Sequence, residues 1–312
     1  MTIEEILPLS ILNPKEFREL FHDPVDEFNI NKKSNLYLHT LQIKDGSFNL
    51  DGLYDQLENT LLGYVCSRQN LTKGFDNKSQ WGLFVKNVKK KLKAPDPNAG
   101  EGGELLLYAF LEEHLHAPKI LSKMEIKTSS EHYVNGSDGI HILESSPNKY
   151  QLIFGESKMY ADVRKGVKSA FESMGKIKQE GFGFDTWLME SEILKEIINP
   201  DKIKILESIL LPSTATKPVL ANSFGVFIGY EIDLTDYPLE DHDSTEIENH
   251  IRNLAKETIV GELQTIKNEI KNRGLGGHHF HVYALPFLKE NKNGSIVGIK
   301  EVRFNLSNNL KK

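Results

Sequence analysis

The chain has 312 residues, a net charge of −6, 39% apolar residues and 26% charged residues, a composition typical of an ordinary soluble protein. No apolar run approaches the roughly 20 residues that span a bilayer, and the N-terminus lacks the basic start and apolar core of a signal peptide. The acidic balance argues against a protein that coats nucleic acid unaided, and Cys66, the single cysteine, favours a reducing cytoplasm over an internal disulfide.

Residues 1–93 are predicted to form an N-terminal αβ region, with a strand at 36–43 and amphipathic helices at 53–66 and 80–93. Lysines crowd the second helix, at Lys86, Lys89, Lys90, Lys91 and Lys93. Two interpretations remain open for them, contacts to a phosphate backbone or a solvated helix face.

The clearest break in the chain is the sequence APDPNAGEGG at residues 94–103, which predicts a loop because prolines and glycines interrupt regular structure. It could be a domain boundary, which divides the chain into residues 1–93 and residues 94–312, or a flexible lip over a functional site.

A helix with little polar surface is predicted at residues 104–115, and a first core strand at 124–133. A buried Glu104 in the first turn of this helix needs a partner. It could serve a metal site, or it could interact with the helix dipole, which favours acids at N-termini. Glu112 and Glu113 are predicted to face solvent.

The sequence from Gly136 to Tyr160 predicts two strands joined by a tight turn at residues 145–148. Asp138 and Glu156 are equidistant from Pro147, so a hairpin centred there places them opposite each other, with Cβ atoms about 5 Å apart. Lys158 follows Glu156 by two residues and therefore points to the same face of the sheet.

Two carboxylates and an ammonium in one place are the groups of a divalent-metal site that cuts phosphodiester bonds. Mg²⁺ (or Mn²⁺) prefers oxygen ligands, it lowers the pKa of a bound water, and a nearby lysine can stabilise charge on the phosphate. Opposed like charges destabilise a sheet unless a cation removes the conflict. The alternative is that Asp138 and Glu156 are solvated residues of an ordinary hairpin, but the strands around them are strongly apolar.

Beyond the hairpin, a helix is predicted at residues 162–179, two helices at 186–211, a strand at 224–232, a long amphipathic helix at 244–272 and a last core strand at 279–287. Basic residues open the first of these helices, at Arg164, Lys165 and Lys168. Because they directly follow the candidate catalytic strand, they are the best candidates for DNA contact, with a plain solvated face as the alternative.

Asp138 and the Glu156-Ser157-Lys158 triplet resemble the motif of the PD-(D/E)xK nuclease superfamily, although Ser137 stands where the motif has proline. Four blocks in order, GGELLLYAFLEEHL, GSDGIHIL, FGESKMY and HHFHVYALPF, resemble the HamA-type nuclease subunit of the Hachiman antiphage system over about residues 100–290. The resemblance implies an α/β fold with an αβββαβ core, a mixed central sheet flanked by helices, an extra helix and strand, and an N-terminal αβ extension. It implies Asp138, Glu156, Lys158 and Glu104 as catalytic residues, with Asp138, Glu156 and Glu104 as metal ligands.

The resemblance also implies a superfamily 2 helicase partner (HamB type), with which the chain degrades or damages DNA during phage infection. We expect residues 1–93 to supply the helicase-binding surface. Two other functions remain open, a non-catalytic scaffold that binds a helicase and a regulatory subunit that restrains it until DNA appears.

Overall fold

A computed structural model describes residues 1–44, 46–126, 136–182, 196–197, 199–210, 219–237, 241–292 and 294–312. The helices within these ranges are α1 (Ile3–Ile6), α2 (Pro14–Arg18), α3 (Leu50–Val65), α4 (Arg68–Asp76), α5 (Trp81–Lys90), α6 (Glu101–Glu113), α7 (Lys123–Ile126), α8 (Val163–Gln179), α9 (Ile203–Leu210), α10 (Ser244–Asn272) and α11 (Ile299–Lys311). The strands are β1 (Asp26–Asn31), β2 (Ser34–Leu38), β3 (Ile43–Lys44), β4 (Ser47–Phe48), β5 (Lys119–Ser122), β6 (Gly139–Ser146), β7 (Lys149–Met159), β8 (Val219–Asp233), β9 (His279–Lys292) and β10 (Ser295–Val297).

A mixed eight-stranded sheet forms the centre of the molecule, in the order β1-β2-β9-β8-β7-β6-β5, with β10 beside β9. Its middle strands β7, β8, β9 and β2 run parallel, whereas β5, β6 and β7 form an antiparallel run at one edge. The expectation of an α/β fold with a mixed central sheet flanked by helices is confirmed.

Helix α6 covers one face of the sheet. The Phe110 ring stacks on Phe227 of β8 and on Tyr283 of β9, and Leu111 fills the space above Gly225. All thirteen residues of α6 are buried, which explains why its sequence is nearly continuous in apolar residues.

Helix α8 covers the opposite face. Its N-cap is Asp162, whose carboxylate accepts the Lys165 N–H at 2.9 Å, so the predicted start at Asp162 is confirmed to within one residue. The Phe171 ring meets Phe280 of β9. Helix α10 packs beside α8 and has the predicted bounds.

Residues 1–93 are continuous with this core. Strand β2 pairs in parallel with β9, with Leu36 opposite Val282, and α3 packs on α6. The apolar side chains of this region belong to the same buried cluster as those of the central sheet.

Two sequence-based expectations about the neighbourhood of α6 are wrong. The first core strand is Lys119–Ser122 rather than 124–133, because residues 123–126 turn into helix α7, while 127–133 lie outside the described residues. Glu112 and Glu113 are buried, at 0% and 4% exposure, because residues distant in the sequence cover them.

Of the two helices expected at 186–211, the second is present as α9, after a short 3₁₀ turn at residues 200–202. Residues 186–195, 198 and 211 are outside the described part. No helix in the described part of the chain is both long enough and apolar enough to cross a membrane.

Candidate active site

The hairpin has the register that the sequence predicts. Gly139 pairs with Gly155 across β6 and β7, and the Asp138 N–H donates to the Gly155 carbonyl at 2.8 Å. Asp138 therefore lies opposite Glu156, directly before β6 begins. Both carboxyl groups are buried, at 7% and 3% exposure.

The sheet divides the expected site between its two faces, because successive side chains of a strand alternate. Glu156 and Lys158 lie on the α8 face, where a hydrogen bond with Ser173 reaches Glu156. Ser157 lies on the α6 face, where a Cβ on Gly103 would come within 3.4 Å of Ser157 Oγ.

Glu104, on α6, and Asp138 share one cation on the α6 face. The Lys123 ammonium donates to Glu104 Oε1 at 2.9 Å and to Asp138 Oδ1 at 2.8 Å. The β5–β6 pairing explains this position, because Ser122, the last residue of β5, opposes Gly139. Lys123 follows as the first residue of α7 and comes next to Asp138, whose carbonyl accepts the Lys123 N–H at 3.2 Å.

Fixed donors hold the remaining oxygens of these two carboxylates. Asp138 Oδ2 accepts hydrogen bonds from the Ser157 N–H and hydroxyl, both at 2.8 Å. Glu104 Oε2 accepts the Tyr64 hydroxyl at 2.9 Å. Burial, followed by the Glu104 charge, raises the pKa of Tyr64, so the tyrosine remains a donor at neutral pH.

On the α8 face, the Lys158 ammonium donates to Glu156 Oε1. Burial, followed by the Asp138 charge, raises the pKa of Glu156 to about 7, although Lys158 opposes this shift. Burial acts to lower the pKa of Lys158, but the Glu156 carboxylate outweighs it and the net shift is upward. The Asp138 charge thus raises the pKa of Glu156 on the α8 face. The carboxylate oxygens of Asp138 accept hydrogen bonds from Lys123 and Ser157 on the α6 face.

The donor chemistry of the Glu104–Asp138 pair fits a divalent cation. Two carboxylate oxygens converge on a single cation position, and one or two carboxylates are typical of Mg²⁺ sites. Glu156 is not part of that set, and within the described ranges no three His, Cys, Asp or Glu side chains are arranged to hold a metal. Glu104 and Asp138 are therefore the residues that would hold the ion, with Glu156 on the other face.

The three basic residues at the start of α8 differ in their surroundings. Arg164 forms a bidentate ion pair with Glu262 of α10, with distances of 2.8–3.0 Å. Lys165 and Lys168 are exposed, and neither contacts a carboxylate of a described residue.

A second basic surface forms a groove of about 500 Å³ between α5 and the end of α11, which we call the lysine groove. Its lining residues are Gly82, Val85, Lys86, Lys89, Lys90, Lys311 and Lys312. Lys89 pairs with Glu58, whereas Lys311 donates to the Leu92 carbonyl. The C-terminal lysines thus extend the cluster that the sequence shows on one helix.

Lys123, Ser157 and Tyr64 take part in the site but were not identified from the sequence. The position of Ser157 could have been predicted from the sequence. It stands between the acid and the lysine of the motif, so its side chain must point to the opposite face of the strand. Lys123 would have been found with the correct position of β5. Tyr64 reaches Glu104 only through the tertiary fold.

Comparison with known proteins agrees with the resemblance that the sequence motifs show. Residues 15–294 match the HamA family, which covers most of the chain. No curated protein sequence matches the chain. The chain therefore belongs to the HamA family and is a HamA-type subunit of the Hachiman antiphage defence system.

Proposed function

We propose that the chain is the metal-dependent DNA nuclease of this defence system and that it hydrolyses phosphodiester bonds at the hairpin. One observation carries the proposal: a buried Asp138 lies opposite Glu156, and Lys158 follows on the same strand face. Charged groups are rarely buried together without a structural or chemical role.

The order of elements supports a PD-(D/E)xK core. Helix α6 is followed by the antiparallel strands β5, β6 and β7, then by α8 and the parallel strand β8. This succession is in keeping with the αβββαβ core that the resemblance implies, with α7, α9, α10 and β9 in addition.

Each site residue has a chemical task in this proposal. When bound, Mg²⁺ (or Mn²⁺) would polarise a phosphoryl oxygen and lower the pKa of a bound water. Glu104 and Asp138 hold the ion's position, while Tyr64 and Ser157 orient these two carboxylates. Lys158 lies on the opposite face of the sheet from that ion position but at the same end of β7, so its ammonium would stabilise negative charge that develops on a phosphate bound at this end of the sheet.

Glu156 would orient Lys158 through their hydrogen bond. The superfamily motif would also give it a share in metal binding. Because its side chain lies on the other face of the sheet from the cation position of Glu104 and Asp138, its observed contacts support the first task.

DNA would approach along the exposed lysines near the site. Lys165 and Lys168 follow the catalytic strand, and the lysine groove offers a second contact for phosphates. One test is a cleavage-inactive variant in which four groove lysines are all changed to Glu, at Lys86, Lys90, Lys311 and Lys312. This variant should bind DNA more weakly, and its DNA affinity should depend less on salt concentration. Changing Lys165 and Lys168 to Glu in the same background, and comparing the two losses of DNA affinity, shows which surface contributes more to DNA binding.

We also propose a superfamily 2 helicase as the partner that delivers DNA. The net charge of −6 disfavours strong unaided binding to DNA, and the chain contains no ATP-binding motif. Because residues 1–93 are built into the central sheet and the core, their contribution to helicase binding is best tested by substitutions at exposed positions. Phe75 and Leu83 are exposed apolar residues of that region, at 45% and 54% exposure.

A second candidate function is a non-catalytic subunit that binds and restrains the helicase. The observation in its favour is that lysines already pair with all three carboxylates, Glu104, Asp138 and Glu156. A purely structural set of ion pairs would look the same.

Plasmid cleavage with and without Mg²⁺, by the chain alone and with helicase and ATP, distinguishes the two functions. We expect metal-dependent cutting that EDTA stops, strongest with the helicase. Glu156→Ala and Lys158→Ala should each abolish cutting, since losing a group that acts on the transition state typically costs about 100-fold or more. Full activity in EDTA, or normal cutting by either variant, would leave the non-catalytic function as the better explanation.

A further inference from the structure

Lys123 is the resident cation of the pocket formed by Glu104 and Asp138. Its ammonium lies 2.9 Å from one carboxylate and 2.8 Å from the other. Both carboxylates are buried, at 6% and 7% exposure, and the ammonium between them compensates their charges. We propose that Lys123 competes with the divalent metal for this pocket, and that metal binding displaces the Lys123 side chain into solvent.

Geometry makes the two cations mutually exclusive. Mg²⁺ binds carboxylate oxygens at about 2.0–2.1 Å, and an ammonium bound to the same two oxygens occupies the space between them. Glu104 Oε1 and Asp138 Oδ1 therefore cannot hold both ions at once. The other oxygens of the pair are bound by Tyr64 and Ser157, so they offer no free second position.

The Lys123 side chain has a route out of the pocket. It retains 36% exposure, and a lysine side chain has a flexible four-carbon stem. The backbone can stay in place during this motion, because the Lys123 N–H donates to the Asp138 carbonyl at 3.2 Å. Only side-chain rotation is then needed to exchange one cation for the other.

This exchange would make metal binding depend on whether the Lys123 side chain is in or out of the pocket. A metal that binds only when Lys123 is out of the pocket has its affinity reduced by the fraction of molecules in that state. If the open state holds about 1–10% of molecules, the apparent affinity falls about 10- to 100-fold. The inference rests on the proposed metal site and adds a built-in restraint on it.

Direct Mn²⁺ titration of the metal-free full chain, by calorimetry, tests the competition without using cleavage. Lys123→Met should bind Mn²⁺ about 10- to 100-fold more tightly than the wild-type protein. Lys149→Met is the matched control, because it removes the same charge at the far, exposed end of β7, and it should bind like wild type. A Lys123→Met affinity equal to that of wild type would overturn the competition and leave the proposed nuclease intact.

A measurement on the wild-type protein covers the case in which Lys123→Met does not fold. Acylation of lysine amines, read by mass spectrometry, should increase at Lys123 when Mn²⁺ is added and stay constant at Lys149. Unchanged or reduced acylation of Lys123 would contradict displacement. If neither the wild-type protein nor Lys123→Met binds Mn²⁺, both the competition and the metal-dependent nuclease fail, which separates that result from failure of the competition alone.

Discussion

Two clusters of buried charge include side chains of α6, Glu112 near the end of the helix and Glu104 near its start, and they differ in how far water reaches their cations. In the first, which we call the inner network, Arg68, Glu112, Lys119 and Glu196 are 0–4% exposed. In the second, the candidate site, the carboxylates are equally buried, but Lys123 and Lys158 keep 36% and 24% of their side-chain surface. Burial of the carboxylates alone therefore does not separate the two clusters, whereas solvent access to their cations does.

The inner network is bound mainly to backbone groups. Glu112 Oε1 accepts the Lys119 N–H at 2.7 Å, and Oε2 accepts the Ile11 N–H at 2.7 Å. Arg68 donates to the Lys119 carbonyl at 2.7 Å, and Lys119 Nζ to the Cys66 carbonyl at 2.8 Å. These bonds join the N-terminal residues to α6 and β5, so the inner network is part of the scaffold.

The largest expected effect lies in the inner network. Glu112→Ala should lower the free energy of unfolding by about 3–5 kcal/mol, because it removes one of the two carboxylate partners of the buried Arg68 and leaves three buried N–H donors without their acceptor. Urea unfolding measures the change. Glu113→Ala is the matched control on the next residue, since its partner Arg18 is 66% exposed, and about 1 kcal/mol or less is expected for that pair. An equal loss of unfolding free energy in the two variants would show that the inner network stabilises the fold no more than a partly exposed ion pair does.

A substitution in the candidate site should reduce the cleavage rate strongly and the stability of the fold only slightly. Lys158→Met should slow cleavage by about 100-fold or more while lowering stability less than Glu112→Ala does. Water reaches the position of Lys158, so the Glu156 carboxyl can be hydrated or protonated after losing its partner. Parallel cleavage assays and urea unfolding measure both quantities. A stability loss as large as that of Glu112→Ala would place Lys158 in the scaffold.

His39 sharpens the comparison because it is a buried titratable group with no counter-charge among the described residues. It is 3% exposed between the rings of Phe21, Phe110 and Tyr283, and neither ring nitrogen finds a hydrogen-bond partner among the described residues. Burial, followed by His114, lowers the pKa of His39 to about 3 from 6.5.

The sign of the resulting pH dependence follows from proton binding. Below pH 6.5 the unfolded chain protonates His39 while the folded protein does not, so stability is full above that pH and is lost as the pH falls towards 3. His39→Leu should flatten this slope by up to about 1.4 kcal/mol per pH unit between pH 6 and 4. Urea unfolding across that range tests it, and a slope equal to that of wild type would contradict the assignment.

Short-range patterns in the sequence were enough to predict much of this structure. The hairpin register follows from turn residues around Pro147, and the bounds of α10 follow from its apolar spacing. Glu112 was placed in solvent because its partners, Ser10, Arg68 and Lys119, are distant in the chain or beyond the helix end. Local periodicity contains no information about such contacts.

The candidate site shows the same limit. Asp138, Glu156 and Lys158 were identified from their spacing, and Glu104 from its position in the first turn of a buried helix and from the resemblance. The sequence alone did not show that the sheet separates Glu104 from Glu156. Lys123 was missed because β5 was placed a few residues too late. Its role depends on the pairing of β5 with β6, which only the fold establishes.

The most direct test of the hairpin as a catalytic centre is the Mg²⁺-dependent rate of plasmid cleavage by Glu156→Gln, measured beside its unfolding free energy and with the helicase present. Gln keeps the shape of Glu156 and removes only its charge. We predict a loss of at least about 100-fold in rate with stability equal to or above that of wild type, because a buried charge beside Asp138 has been removed. Wild-type cleavage by a folded Glu156→Gln protein would contradict the assignment.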